Sequence, residues 1–344
     1  MERVETRNLL KSLQGNYLRA AVGAMKTTPT EALEVALCIP PLDKTIISVA
    51  RLTAYRLKCQ GEWRDTGLRK SGLELLHKSP FTLIQDRIPK KHQLSKNFVV
   101  HIPTRDDWKT NKLPKHPRAD IWYTDGSGAN SRFGAGFYCQ KTNQRVTIPM
   151  GGLATVFQAE VLAILKCVEL QIAKDTKDRN IFICSDSRAA IGALAKTTTE
   201  SSVVWDCMQA LNELGEQNKI AMVWIPGHQG LHGNEVADEL AKLGTLEDPV
   251  EPVVGVPFAV GKDTIRKILE KEHQSTWERT QGCRRAKLLM ERPLHSRARE
   301  LLAMSRSKLR LSISLLTGHM ALRAHLYNLK LTEQRECRLC GEEE

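Results

Sequence analysis

The chain has 344 residues, a formal net charge of +12, 41% hydrophobic residues and 9 cysteines. That length gives room for two or three domains with buried cores. No apolar run approaches the roughly 18 residues of a membrane span, and Met1-Glu2-Arg3-Val4-Glu5 does not begin a secretory signal. An odd number of scattered cysteines argues against a disulfide scaffold and for a reducing, intracellular setting, nuclear or cytoplasmic. The charge is uneven: residues 120–245 hold 11 basic and 14 acidic side chains, and the remainder holds 40 and 25. A slightly acidic centre with strongly basic flanks suits a polyanionic partner outside and cations within.

Residues 1–77 read as helices. Leu9, Leu10, Leu13 and Tyr17 recur at helical spacing, and Thr28-Pro29-Thr30-Glu31 reads as a helix start with Thr28 as N-cap. That helix stops before Pro40-Pro41, and a third is expected from about Asp43 to Leu57. Residues 78–118 carry five prolines and the basic cluster Lys90-Lys91-His92, which predicts a linker with some docked segments.

Residues 119–246 differ in texture. Strands are predicted at 121–125, 133–140 and 144–149, then a long helix at 155–174 with Glu160 in its first turns. A buried-type strand at 180–184 follows, then helices at 188–195 and 203–216 joined by a short turn at Lys196-Thr197-Thr198-Thr199. A strand at 221–225 and a helix from about Asn234 complete the order βββαβααβα. That order predicts an α/β fold with a mixed five-stranded sheet and helices on its faces. Residues 247–344 return to basic helices, with Asp263–Trp277 and Arg299–Leu316 the clearest, and end in Cys337-x2-Cys340, half of a zinc knuckle. His319 and His325 are the nearby candidates to complete it, although His319 fits better as a cap on the preceding helix end. A tail ordered only to about Leu331 is expected.

Asp125 ends the first strand at a Gly126-Ser127-Gly128 turn, Glu160 opens the long helix, Asp186 ends the fourth strand, and Asp238 lies on the last helix. His228 sits in a loop with Gly227, Gly230 and Gly233 as its flexible points. Singly, each has a plain structural explanation: a turn, a first-turn charge, an N-cap, a solvated helix face, a structural imidazole. Together, each at the edge of an element, they predict one site assembled from across the fold. Converging carboxylates repel one another unless cations bind between them. An all-oxygen set suits two Mg²⁺ or Mn²⁺ ions rather than zinc, and two ions about 3.5–4 Å apart clamp the attacking and leaving oxygens of a phosphodiester. A mobile His moves protons near neutral pH.

Thr124-Asp125-Gly126-Ser127, Ala159-Glu160, Ser185-Asp186-Ser187, Gly227-His228 and Asn234-Glu235-x-Ala237-Asp238, in that order, resemble a type 1 ribonuclease H domain. The resemblance implies a ribonuclease H-like fold and metal-dependent cleavage of the RNA strand of an RNA/DNA hybrid; a monomeric chain is expected. It places metal ligation on Asp125, Glu160, Asp186 and Asp238 and proton transfer or product release on His228. It places reading of the ribose 2′-OH on Gly126, Ser127 and Glu160. Two departures stand out: Val156-Phe157 occupies the place of an Asn-Gln pair that touches the hybrid in many cellular members, and the helix pair 188–216 lacks a basic, Trp-bearing insertion. Hybrid affinity is therefore expected from the basic flanks. Those flanks, with Lys26-Thr27-Thr28-Pro29-Thr30, Ile39-Pro40-Pro41-Leu42 and Leu315-Leu316-Thr317-Gly318-His319, resemble the pol polyprotein of non-LTR retrotransposons. The catalytic Asp pair of a reverse transcriptase palm is not among these residues, so no polymerase activity is expected of them. The competing class is a catalytically idle nucleic-acid-binding remnant of a retroelement.

Overall fold

The computed structural model describes residues 2–63, 73–104, 106–107, 119–227, 229–249 and 253–342. In chain order, helices α1 (Glu2–Val22), α2 (Thr30–Ala36) and α3 (Leu42–Cys59) precede strands β1 (Arg87–His92), β2 (Phe98–His101), β3 (Asp120–Ala129), β4 (Arg132–Cys139) and β5 (Gln144–Gly151). Then come α4 (Val156–Ala173), β6 (Asn180–Ser185), α5 (Arg188–Ala195), β7 (Thr198–Ser201), α6 (Ser202–Gly215), β8 (Lys219–Trp224) and α7 (His232–Gly244). Helices α8 (Phe258–Arg279), α9 (Arg284–Leu289), α10 (His295–Leu302), α11 (Arg306–Thr317) and α12 (Arg323–Asn328) complete the order. The chain divides into two compact units, residues 53–262 and residues 1–52 with 263–344.

The larger unit is built on a six-stranded mixed sheet in the order β2-β8-β6-β3-β4-β5. Its first four strands run parallel, and β4 and β5 form an antiparallel meander on β3. Strands covered on both faces read as apolar runs, and Ile181, Ile183, Ile220, Met222 and Trp224 are all buried. Helix α4 lies against this sheet with one of the most buried faces in the molecule, from Ala159 through Val168. Three helices start where sequence placed them because a side-chain hydroxyl accepts from a free backbone N–H: Thr155 from Gln158, Ser187 from Ala190, Ser201 from Val204. Helix α7 covers the opposite side, and glycine makes its approach to β4 possible. A Cβ on Gly136 would stand 2.5 Å from the Ala241 nitrogen.

Three differences from the sequence reading have physical causes. The first strand does not turn after Asp125. It runs to Ala129, and the hairpin turn is Asn130-Ser131, both residues at positive φ (50° and 61°) as a tight hairpin of this hand requires. Strand β2 was not legible, because four residues between Asn97 and Ile102 are too few to show a period. It enters the sheet as a parallel partner of β8, with Phe98 buried and Val99 exposed. The expected short turn at Lys196–Thr199 is in part strand β7, which pairs antiparallel with β1. Isolated, Thr198–Ser201 would not hold a strand; its docked partner supplies the hydrogen bonds.

Asp86, just before β1, fastens this small sheet to the core. Its buried carboxylate accepts from the Ser201 and Ser202 hydroxyls (2.9–3.1 Å) and from the Val203 N–H at 3.0 Å. It thereby answers the free donors at the α6 N-terminus.

The smaller unit is helical, with a core of Leu18, Val22, Leu33, Val35, Trp277, Met290, Leu309 and Ile313. Here too the caps differ in detail from expectation. The N-cap of α2 is Pro29 without a side-chain bond, and the α11 C-cap is Gly318 in the left-handed region, so His319 is not the cap. The His319 imidazole instead meets the Thr27 hydroxyl at 3.2 Å and packs edge-on against His325. Beyond Leu331 the chain is described through Glu342 and closes a turn in which Gly341 N–H donates to the Cys337 carbonyl and Leu339 N–H to its sulfur. No helix among the described residues is long and apolar enough to cross a membrane.

Phe98 holds the edge strand to the core, so Phe98→Ala should cost about 3–5 kcal/mol of the larger unit's stability. Denaturant unfolding followed by tryptophan fluorescence measures this. A loss below about 1 kcal/mol would show that β2 is not part of the cooperative sheet.

Candidate active site

Strands β3 and β6 are parallel neighbours, with Thr124 opposite Ser185. Asp125 and Asp186 each stand one residue further on, so the register brings them side by side. Glu160 arrives from the first turns of α4. The three carboxylates converge: each offers an oxygen, and these lie within 4.8 Å of one another. Asp125 and Glu160 are each only 7% exposed, and Asp186 is half-buried.

The approach of α4 depends on Gly126. Any Cβ there would collide with the backbone of Ala159 and Glu160. The Asp125 carboxylate is steadied by the Gly126 N–H at 2.8 Å. Asp186 is held from two sides: Asn234 donates its amide to Oδ2 at 3.3 Å, and the Trp224 indole donates to its backbone carbonyl at 2.9 Å. The Arg188 guanidinium lies over the Trp224 ring, 4.2 Å from its centroid. Neither Asn234 nor Trp224 was picked out as a site residue from sequence. Asn234 had a usable signal, since it lies four residues before Asp238 and so on the same helix face. Trp224 had none.

Of the residues predicted for the site, Asp125, Glu160 and Asp186 are brought together. Asp238 stands apart from that group, its carboxylate paired with Lys242 one turn along α7 at 2.6 Å. It is still close enough that its charge acts on Asp125. Gly126 and Ser127 lie in β3 beside the cluster, half-buried. His228 lies outside the described residues. Its neighbour Gly227 packs against the cluster, for a Cβ there would stand 2.5 Å from Asp186 Oδ2. Gly233 is not a loop hinge but part of α7, close against the Tyr123 ring.

Burial, then the charge of Asp186, pushes the Asp125 carboxyl up to about 7. Burial, then Asp125 and Asp186, pushes Glu160 further, to about 10. Asp125 and Glu160, this close to Asp186 and this well buried, resist ionising without a cation. The Glu160 Oε2 is also buried with no hydrogen-bond partner. An orphaned carboxylate oxygen in an all-oxygen donor set fits a hard divalent cation. Among the described residues no other group of three or more His, Cys, Asp or Glu converges in this way, and His319, His325, Cys337 and Cys340 do not form one.

A strand-borne Asp pair and a helix-borne Glu thus meet on a mixed sheet. Residues 117–245 match the RNase H family model. Part of the chain resembles the Pol polyprotein of equine infectious anemia virus. It is 29% identical over 145 residues to the Wyoming strain, and 32% identical over 152 residues to isolates 1369 and CL22. Those matches cover 42% of this chain and 12% of each polyprotein, so the chain spans a small part of its relatives. The region matched by the family model holds the three converging carboxylates. Strands β1 and β2 lie before it in sequence, although β2 is part of its sheet.

The pKa shifts set the pH dependence of stability. Both acids hold protons more tightly in the folded than in the unfolded chain, so the metal-free protein loses stability as pH rises above about 4. The loss continues through about 7 for Asp125 and towards 10 for Glu160. The cost should be on the order of 1–4 kcal/mol for Asp125, a fall of several degrees in Tm between pH 5 and 9. Thermal melts in EDTA measure it. Asp125→Asn should flatten the dependence, and Mg²⁺ should restore Tm at pH 8. A metal-free wild-type Tm that stays level across this range would contradict the protonation assignment.

Proposed function

We propose that this chain hydrolyses the RNA strand of RNA/DNA hybrids as a type 1 ribonuclease H, using two Mg²⁺ or Mn²⁺ ions, and that it derives from the pol polyprotein of a non-LTR retrotransposon. The reading is carried by the convergence of Asp125, Glu160 and Asp186 from three elements within the region that matches the RNase H family. The polyanion-attracting charge outside that region supports a nucleic-acid substrate.

In this reading Asp125, Glu160, Asp186 and Asp238 would hold the metal ions, which would supply charge neutralisation of the phosphodiester and a lowered pKa for the attacking water. Asp238 would first exchange its Lys242 partner for that role. Asn234 keeps one Asp186 oxygen turned into the site, acting as a positioning residue. Gly126, Ser127 and Glu160, beside one another where α4 meets β3, would meet the ribose. That contact would read the 2′-OH, the group that distinguishes RNA from DNA. His228, which follows β8 in sequence, would carry protons to and from the reacting oxygens.

Asp125→Asn and Asp186→Asn should each remain folded and lose cleavage by about three orders of magnitude or more, the scale of several kcal/mol of charge stabilisation. His228→Ala should slow turnover by roughly 10²-fold or less, at the low end of general acid–base catalysis. Single-turnover cleavage of a labelled hybrid measures all three. Full activity in either Asp variant would rule out the metal assignment. A His228→Ala loss as deep as the Asp losses would make His228 a ligand or a fold determinant.

A further inference from the structure

A cleft of about 460 Å³ opens between the small β1–β7 sheet and helices α4, α5 and α6. Its cations are Arg87, Lys90 and Lys196; Phe157 and Phe258 form its apolar wall. The charges are not balanced. Asp86 is consumed in capping α6, and Glu200 is paired with Arg87 at 3.0 Å. Lys90 and Lys196 remain exposed, with no ion pair among the described residues. The cleft therefore presents two uncompensated ammonium groups beside the Thr198 and Thr199 hydroxyls, a surface suited to phosphate oxygens.

Two helices connect this cleft to the acidic cluster. On α4, Phe157 stands three residues before Glu160 and so on the same face. Helix α5 starts at Ser187, next to Asp186, and ends at Lys196 in the cleft. The nine steps from its N-cap Ser187 to its C-cap Lys196 cover about 13 Å at helical rise. A duplex carries one charge per roughly 1.7 Å of its axis, so one crossing that distance presents several phosphates to the cleft while another part of it lies at the cluster.

We propose that this cleft is the phosphate track of the RNA/DNA hybrid, with Lys90 and Lys196 as its principal contacts. The inference rests on the hybrid-nuclease reading of the acidic site. It adds that residues before the family-matched region, Lys90 on β1 above all, hold the substrate. Phosphate contacts fix register and carry no sequence preference, so the cleft sets affinity and placement rather than base choice.

The test is fluorescence anisotropy of a labelled hybrid with the full chain in EDTA, across a salt series. Cleavage kinetics in Mg²⁺ run alongside. Lys90→Ala/Lys196→Ala should raise Kd and KM, leave kcat at saturating hybrid and Tm unchanged, and make the log Kd–log salt slope shallower by about two. Lys90→Arg/Lys196→Arg should keep the wild-type slope. An unchanged slope and Kd in the Ala variant, or a wild-type chain that does not bind hybrid, overturns the proposal. The two readings fail separately. A wild-type chain that binds with the expected slope but does not cleave sinks the nuclease reading and leaves the cleft assigned. A chain that cleaves with lysine-independent binding does the reverse.

Discussion

The parallel register of β3 on β6 is the constraint on which the site depends. With Thr124 opposite Ser185, two aspartates must stand side by side in a place that burial has made unfavourable for charge. Such an arrangement is destabilising by itself. It persists because the surrounding core over-determines it: Ile181, Ile183, Leu162, Ile164 and Met222 are almost fully buried around the strands that carry the acids. Shifting β6 by one residue would turn Ile181 and Ile183 to the wrong face. The hydrophobic core therefore enforces the electrostatic conflict, and a bound cation would resolve it.

A second requirement is that three backbones approach the cluster more closely than side chains normally allow. Gly126 admits the start of α4, Gly227 clears Asp186, and Gly136 lets α7 settle on the meander. Helix α7 then supplies Asn234 to Asp186 and sets Asp238 one turn away, held by Lys242. Asp238 and Lys242 are bound by an exposed i,i+4 pair, an interaction worth little in water. A competing cation can therefore take that carboxylate at small cost.

The fold around the acidic site is larger in space than the stretch that matches the RNase H family model. Strand β2 completes the parallel side of the sheet, and β1 with Asp86 ties the polar stretch before the domain onto α6. Between α5 and α6 the chain has a four-residue strand in place of a basic insertion, and a strand from before the matched region brings Arg87 and Lys90 to the same place. Basic charge in the flanks thus reaches the neighbourhood of the acidic site through strand pairing.

Local signals were enough for much of this. The apolar stripe and Thr155 cap of α4, the buried run of β6, and the Asn-bearing turn into β5 each express physics that acts within a few residues, so the βββαβααβα order and the α/β class were readable. So were Asp125, Glu160 and Asp186 as candidates, because the motif residues stand at element edges. What sequence could not decide was long-range. Whether Gly126-Ser127-Gly128 was a turn or strand depended on α4 crossing above it, and β1, β2 and β7 exist only because distant partners complete their hydrogen bonds. The same holds for Asp238: its residue type suggested a ligand, but only the packed helix shows it turned to Lys242 while Asn234 meets Asp186. Propensity and capping are summed along the chain, whereas register, close backbone approach and charge convergence are properties of segments that meet only when the core closes.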